Sequence, residues 1–73
     1  MADISEREEM IELYEKYGSL LAQSQKQALH LYLIEDLSFS EISQELAMTR
    51  PGAYDAVKKG KQKLISLNKK LNG

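Results

Sequence analysis

One stretch of the chain carries the signal that decides the fold, SFSEISQELAMTRPGAYDAVKK at residues 38–59. Ser38 followed three residues later by Glu41 is a capping box. In this motif the serine oxygen accepts from the amide of the third helical residue, and the glutamate accepts from the amide of the cap residue. The motif predicts a short helix over about residues 39–46.

A second helix follows after a tight turn. Thr49 stands where an N-cap hydroxyl is expected, and Pro51 falls in the first helical turn, where an absent amide proton costs little. The spacing places the turn at Ala47 and Met48 and predicts a long helix over about residues 50–70. Two helices joined in this way predict a helix-turn-helix, whose second helix enters the major groove of DNA.

The positions at which the two helices cross should be apolar, and the residues there comply. These motif-core positions are Ile42, Leu46, Met48, Ala53 and Val57. The positions expected to face outward are Thr49, Arg50, Pro51, Tyr54, Asp55 and Lys58. An ordinary helical hairpin with a short turn is the alternative interpretation.

Two more helices are predicted before this pair, over about residues 5–20 and 23–35. Ser5 is a candidate N-cap with glutamates after it, and Gly18 weakens the end of the first helix. No stretch shows the alternation of a strand. The chain therefore predicts one all-α domain, residues 1–73, with four helices.

Three segments resemble a known family. LYLIED at residues 31–36, SFSEI at 38–42 and RPGAYDAVKK at 50–59 are similar to the YlxM family of small bacterial helix-turn-helix proteins. Residues 32–43 also resemble the promoter-binding fourth region of bacterial sigma factors. The resemblance implies a sigma region 4-like helix-turn-helix, a role in transcription regulation and a link to the signal recognition particle pathway. Where the family has Gln and Ala, this chain has Pro51 and Gly52.

Charge is divided unequally along the chain. Residues 1–49 hold three basic and ten acidic side chains, a net charge of −7, whereas residues 50–73 hold seven basic and one acidic, a net charge of +6. Such asymmetry favours an anionic partner for the C-terminal segment. The alternative is that these basic residues only interact with the negative end of a helix dipole. Because Pro51 offers no side-chain hydrogen bond, we expect Arg50 to read most of the bases, with Tyr54 and Thr49 in support. The guanidinium of arginine can donate two hydrogen bonds to guanine.

Duplex DNA is the first predicted partner. The candidate nucleic-acid-binding residues are Thr49, Arg50, Tyr54, Lys58, Lys59, Lys61 and Lys63. The alternative is an accessory factor of the signal recognition particle pathway that binds its RNA or its GTPase protein. A homodimer is a further hypothesis, because Val57, Gly60, Leu64, Leu67 and Leu71 follow a heptad spacing. Its candidate seam consists of Leu64, Leu67 and Leu71. The alternative, favoured for the part from Val57 to Leu64, is that this stripe packs against the first helix in the core of the chain itself.

Catalysis finds little support in the sequence. The chain lacks cysteine and has a single histidine, His30, so no catalytic residue, metal site or cofactor is expected. The first residues contain acidic side chains and no apolar core, unlike a signal peptide, and no apolar run is long enough for a membrane span. We expect a soluble, cytoplasmic protein with no membrane partner.

Overall fold

The predicted all-helical fold with four helices is confirmed. The computed structural model describes the backbone of residues 2–72 and the side chains of residues 7–71. The elements are α1 (Ala2–Tyr17), a 3-10 turn (Gly18–Leu20), α2 (Gln23–Leu33), α3 (Phe39–Glu45) and α4 (Arg50–Asn72).

The first helix begins earlier than expected. It starts at Ala2, so the prediction of Ser5 as its N-cap is wrong: Ser5 lies inside α1, and its side chain is outside the described residues. The α-helix also ends at Tyr17, before the predicted end at residue 20. From Gly18 the chain tightens into the 3-10 turn, closed by a hydrogen bond from the Leu21 amide to the Gly18 carbonyl (3.1 Å), as is common at the ends of α-helices.

A long-range contact fixes the end of α2, which stops at Leu33 rather than at the predicted residue 35. The Arg7 guanidinium of α1 donates to the carbonyl oxygens of Tyr32 (3.3 Å) and Leu33 (2.9 Å) and pairs with Asp36 (3.1 Å). Asp36 has φ 61°, in the left-handed region that aspartate tolerates. Arg7 thus supplies donors to carbonyls that a helix end leaves unpaired.

The core lies around α4, which packs against α1, α2 and α3. The buried apolar side chains are Leu21, Ala28, Leu29, Leu33, Ile42, Ala53, Val57 and Leu64. Gly60 is also buried, at the contact between α4 and α2. A Cβ there would lie 2.7 Å from the Leu29 side chain, so a larger residue at position 60 would force Leu29 to shift.

The connection between α3 and α4 is a sharp, hydrogen-bonded turn. The predicted capping box is present: Ser38 Oγ accepts from the Glu41 amide (3.2 Å), and Glu41 Oε1 accepts from the Ser38 amide (2.9 Å). At the other end of α3, the Met48 amide donates to the Ser43 carbonyl (2.9 Å), which with Ala47 at φ 54° makes a Schellman-type end.

The beginning of α4 follows at once. The Gly52 amide donates to Thr49 Oγ1 (3.1 Å), which confirms the predicted cap. The chain therefore breaks between the two helices, and α4 leaves the turn in a new direction. None of the helices between residues 2 and 72 combines the length and the hydropathy that a membrane span requires.

Candidate nucleic-acid interface

The side of α4 that faces away from the core carries the side chains that the sequence places in a DNA groove. Arg50, Tyr54 and Lys58 are exposed and follow one another at intervals of four residues, so they form one flank of the helix. On the other side, Ala53 and Val57 are buried. The flank therefore lies on the side of α4 opposite the buried core.

Tyr54 does not extend freely into solvent, although its side chain is 52% exposed. Its ring packs edge-on against Phe39 at the start of α3, with centroids 5.2 Å apart. Phe39 in turn stacks on Tyr32 of α2, with centroids 5.3 Å apart and ring planes 6° from parallel. We call Tyr32, Phe39 and Tyr54 the aromatic cluster. It joins α2, α3 and α4 and fixes the position of the Tyr54 ring.

The four lysines predicted to bind phosphate differ in their surroundings. Lys58 and Lys63 are exposed. Lys59 is exposed too, but its Nζ pairs with Asp55 one turn earlier at 3.2 Å. Lys61 Nζ lies 4.8 Å from the centroid of the Tyr32 ring, within the range of a cation–π contact. The four lysines therefore form two pairs. Within the described residues Lys58 and Lys63 are free, whereas Lys59 and Lys61 each contact another side chain of the protein.

The predicted motif-core residues differ in how far they are buried. Ile42 and Ala53 are fully buried and Val57 is 2% exposed. Leu46 and Met48, on either side of Ala47, are partly buried against the same core.

The three residues of the predicted dimer seam do not form one surface. Leu64 is fully buried in the core of this chain, so its assignment to the seam is corrected: it has no surface to offer a second copy. Leu67 is half-buried, and Leu71 is 63% exposed. Only these last two are accessible to another chain.

Sequence reasoning missed the contribution of Phe39 and Tyr32. Both residues lie in the segments that resemble the family, but their contacts with Tyr54 and Lys61 join residues 15 or more positions apart, which helical periodicity does not reveal. One local feature does point to the contact with Tyr54. Phe39 is an aromatic residue directly after the Ser38 cap, where the start of α3 meets the first turns of α4.

His30, the single histidine of the chain, lies beside one carboxylate in the part of the chain that the structure describes. His30 Nε2 lies 3.6 Å from a Glu35 carboxylate oxygen, and both side chains are about half exposed. No group of three His, Asp or Glu side chains within the described residues could hold a metal ion. Burial raises the pKa of the Tyr14 hydroxyl, which lies 3.5 Å from the Lys26 carbonyl oxygen.

Comparisons with known proteins agree with this architecture. The family described as "Putative helix-turn-helix protein, YlxM / p13 like", UPF0122, matches residues 4–72. A UPF0122 protein of Mycoplasma capricolum is 44% identical over 64 residues, which cover 88% of this chain and 57% of the relative. A UPF0122 protein of Acetivibrio thermocellus is 41% identical over 59 residues, or 81% of this chain and 50% of the relative.

The chain spans about half the length of these curated relatives. No solved structure matched it. The family match covers α1 to α4, including the capped turn between α3 and α4. This chain therefore belongs to the UPF0122 family of YlxM/p13-like helix-turn-helix proteins.

Proposed function

We propose that this protein binds duplex DNA, with the N-terminal half of α4 in the major groove, and that it acts as a regulatory factor. The observation that carries the proposal is the exposed flank of Arg50, Tyr54 and Lys58 on a helix that follows a capped turn. A recognition helix needs such a flank, because its first turns must reach the base edges while its other side packs on the domain.

The charge distribution favours one orientation on DNA. Residues 50–73 carry a net charge of +6, whereas residues 1–49 carry −7. Phosphates attract the first segment and repel the second, so the duplex approaches from the side of α4. The side chains of Glu8, Glu9, Glu12 and Glu15 on α1 are exposed.

Each candidate residue has a part in this proposal. Arg50 contacts the O6 and N7 acceptors of a guanine. Thr49 donates its hydroxyl proton to a phosphate while its oxygen keeps the cap of α4. Lys58, Lys59 and Lys63 contact phosphates. Lys61 has a different role, because its contact with Tyr32 holds the aromatic cluster.

The salt dependence of duplex binding tests the proposal. With the three lysines Lys58, Lys59 and Lys63 on phosphates, the affinity measured by fluorescence anisotropy should fall with a log–log slope of about −2.7. The double variant Lys58→Glu, Lys63→Glu should lose most of this affinity. Lys16→Glu, Lys26→Glu is the matched control: it makes the same change of net charge at exposed sites outside α4 and should bind nearly as wild type.

The alternative function makes a different prediction for the same assay. A factor of the signal recognition particle pathway would bind structured RNA or a protein, and the acidic segment of residues 1–49 would suit a basic protein surface. Binding to a structured RNA, with no shift of any duplex DNA at low salt, would replace the DNA proposal. Binding to neither nucleic acid would leave the protein partner.

A further inference from the structure

The first turns of α4 present apolar surface where a polar side chain would be expected to read bases. Pro51 and Tyr54 are both exposed and lie three residues apart, so their side chains are neighbours on the helix surface. Neither carries a side-chain amide or guanidinium. The cations Arg50 and Lys58 stand on either side of this pair, so the apolar surface lies inside the footprint of the proposed DNA contact.

The Tyr54 ring is held in place before any partner arrives. Phe39 contacts its ring at 5.2 Å, and Phe39 is itself stacked on Tyr32. A side chain ordered in the free protein loses little conformational entropy on binding. Within the described residues the Tyr54 hydroxyl makes no hydrogen bond, so the contacts that order this side chain are those of its ring.

The major groove offers one apolar group to such a surface, the 5-methyl group of thymine. We infer that Pro51 and Tyr54 form a thymine-reading site, in which the rigid Tyr54 ring packs against that methyl group. The inference rests on the proposed function. Tyr54 lies one turn, about 6 Å, along α4 from Arg50, which corresponds to about two base-pair steps. The preferred site thus contains a thymine about two steps from the guanine that Arg50 contacts.

Replacement of thymine by deoxyuridine tests the inference without changing the protein, because the two bases differ only in the 5-methyl group. Bound fragments are first selected from a random duplex pool, and each thymine of the selected site is then replaced in turn. Loss of one buried methyl contact should weaken binding about fourfold at one position, or at two adjacent ones. The other replacements should have no effect.

Protein variants identify the residue responsible. Tyr54→Ala should bind the thymine and deoxyuridine duplexes equally, whereas Tyr54→Phe, which keeps the ring, should retain the preference. Lys58→Ala is the control, since loss of a phosphate contact should weaken both duplexes by the same factor. Thermal melting by circular dichroism checks that each variant is folded.

Three results would overturn the inference. Equal affinity of the wild type for every deoxyuridine duplex removes the thymine site and leaves DNA binding in place. Salt-dependent binding without any enriched DNA sequence in the selection also removes the thymine site and leaves DNA binding in place, because no base is then read. Absence of binding to any duplex rejects the proposed function and the thymine site together.

Discussion

Lys61 Nζ lies 4.8 Å from the centroid of the Tyr32 ring, so a lysine in the middle of the basic helix contacts the protein's own aromatic cluster. We expect Lys61→Ala to lower the free energy of unfolding by about 0.5–1 kcal/mol and to leave the salt slope of DNA binding nearly unchanged. Lys58→Ala should do the reverse: stability stays the same, and the slope decreases in magnitude by about 0.9. Equal changes of slope in both variants would contradict this division.

Asp55 places a negative charge on the outward side of α4 and pairs with Lys59 at 3.2 Å. Asp55→Asn should strengthen duplex binding by about three- to tenfold at 0.1 M salt, because it removes a charge that repels phosphate and releases Lys59. Stability should change by no more than about 0.5 kcal/mol, since both side chains are more than half exposed.

The matched control for this variant is Glu12→Gln, the same charge change on the exposed face of α1. It should alter DNA affinity far less than Asp55→Asn. An equal gain in both variants would mean that net charge alone, and not the position of Asp55, governs binding.

Leu64 and Leu71 share a heptad spacing but have different environments, fully buried and 63% exposed. Leu64→Ala should cost about 3 kcal/mol of stability in urea unfolding, because it opens a cavity in the core. Leu71→Ala should cost less than about 0.5 kcal/mol. The self-association hypothesis now concerns only Leu67 and Leu71, and it predicts a dimer that Leu71→Ala dissociates. Sedimentation of the wild type as a monomer at tens of micromolar would reject it.

The turn between α3 and α4 contains a residue in an unfavourable conformation, Ala47 at φ 54°. Because a Cβ is costly in this region, Ala47→Gly should stabilise the protein by about 0.5–1 kcal/mol, and Ala47→Val should destabilise it. Ser66→Gly, at an exposed position inside α4, is the control and should destabilise by about 0.5 kcal/mol. Destabilisation by Ala47→Gly, measured by thermal melting, would contradict the described turn.

Local features of the fold could be predicted from the sequence, because their causes lie within a few residues. The capping box of Ser38 and Glu41 and the Thr49 cap depend on side chains that bond to amides three residues away. The local pattern also predicts the turn at Ala47 and Met48, where the structure has it. It does not predict the positive φ of Ala47, since alanine carries no signal for that conformation.

Features set by contacts between helices could not be predicted in the same way. The heptad spacing alone places Leu64 and Leu71 on one stripe, whereas the packing of the other helices buries Leu64 and leaves Leu71 exposed. The end of α2 is another example. Its Tyr32 and Leu33 carbonyl oxygens accept hydrogen bonds from Arg7 of α1, and no local pattern indicates this contact. Local periodicity fixes which face of a helix is apolar, whereas the partner of each side chain depends on the packing of the whole chain.

The Arg50, Tyr54 and Lys58 flank of α4 is the surface that we propose contacts DNA. The most direct measurement is a titration of the isotope-labelled protein with duplex DNA, followed by backbone amide chemical shifts. We expect this contact to cause the largest shift changes from Thr49 to Lys63, with little change at Glu8–Glu15 of α1. Changes centred on α1, or none along the N-terminal half of α4 when the duplex is in excess, would contradict it.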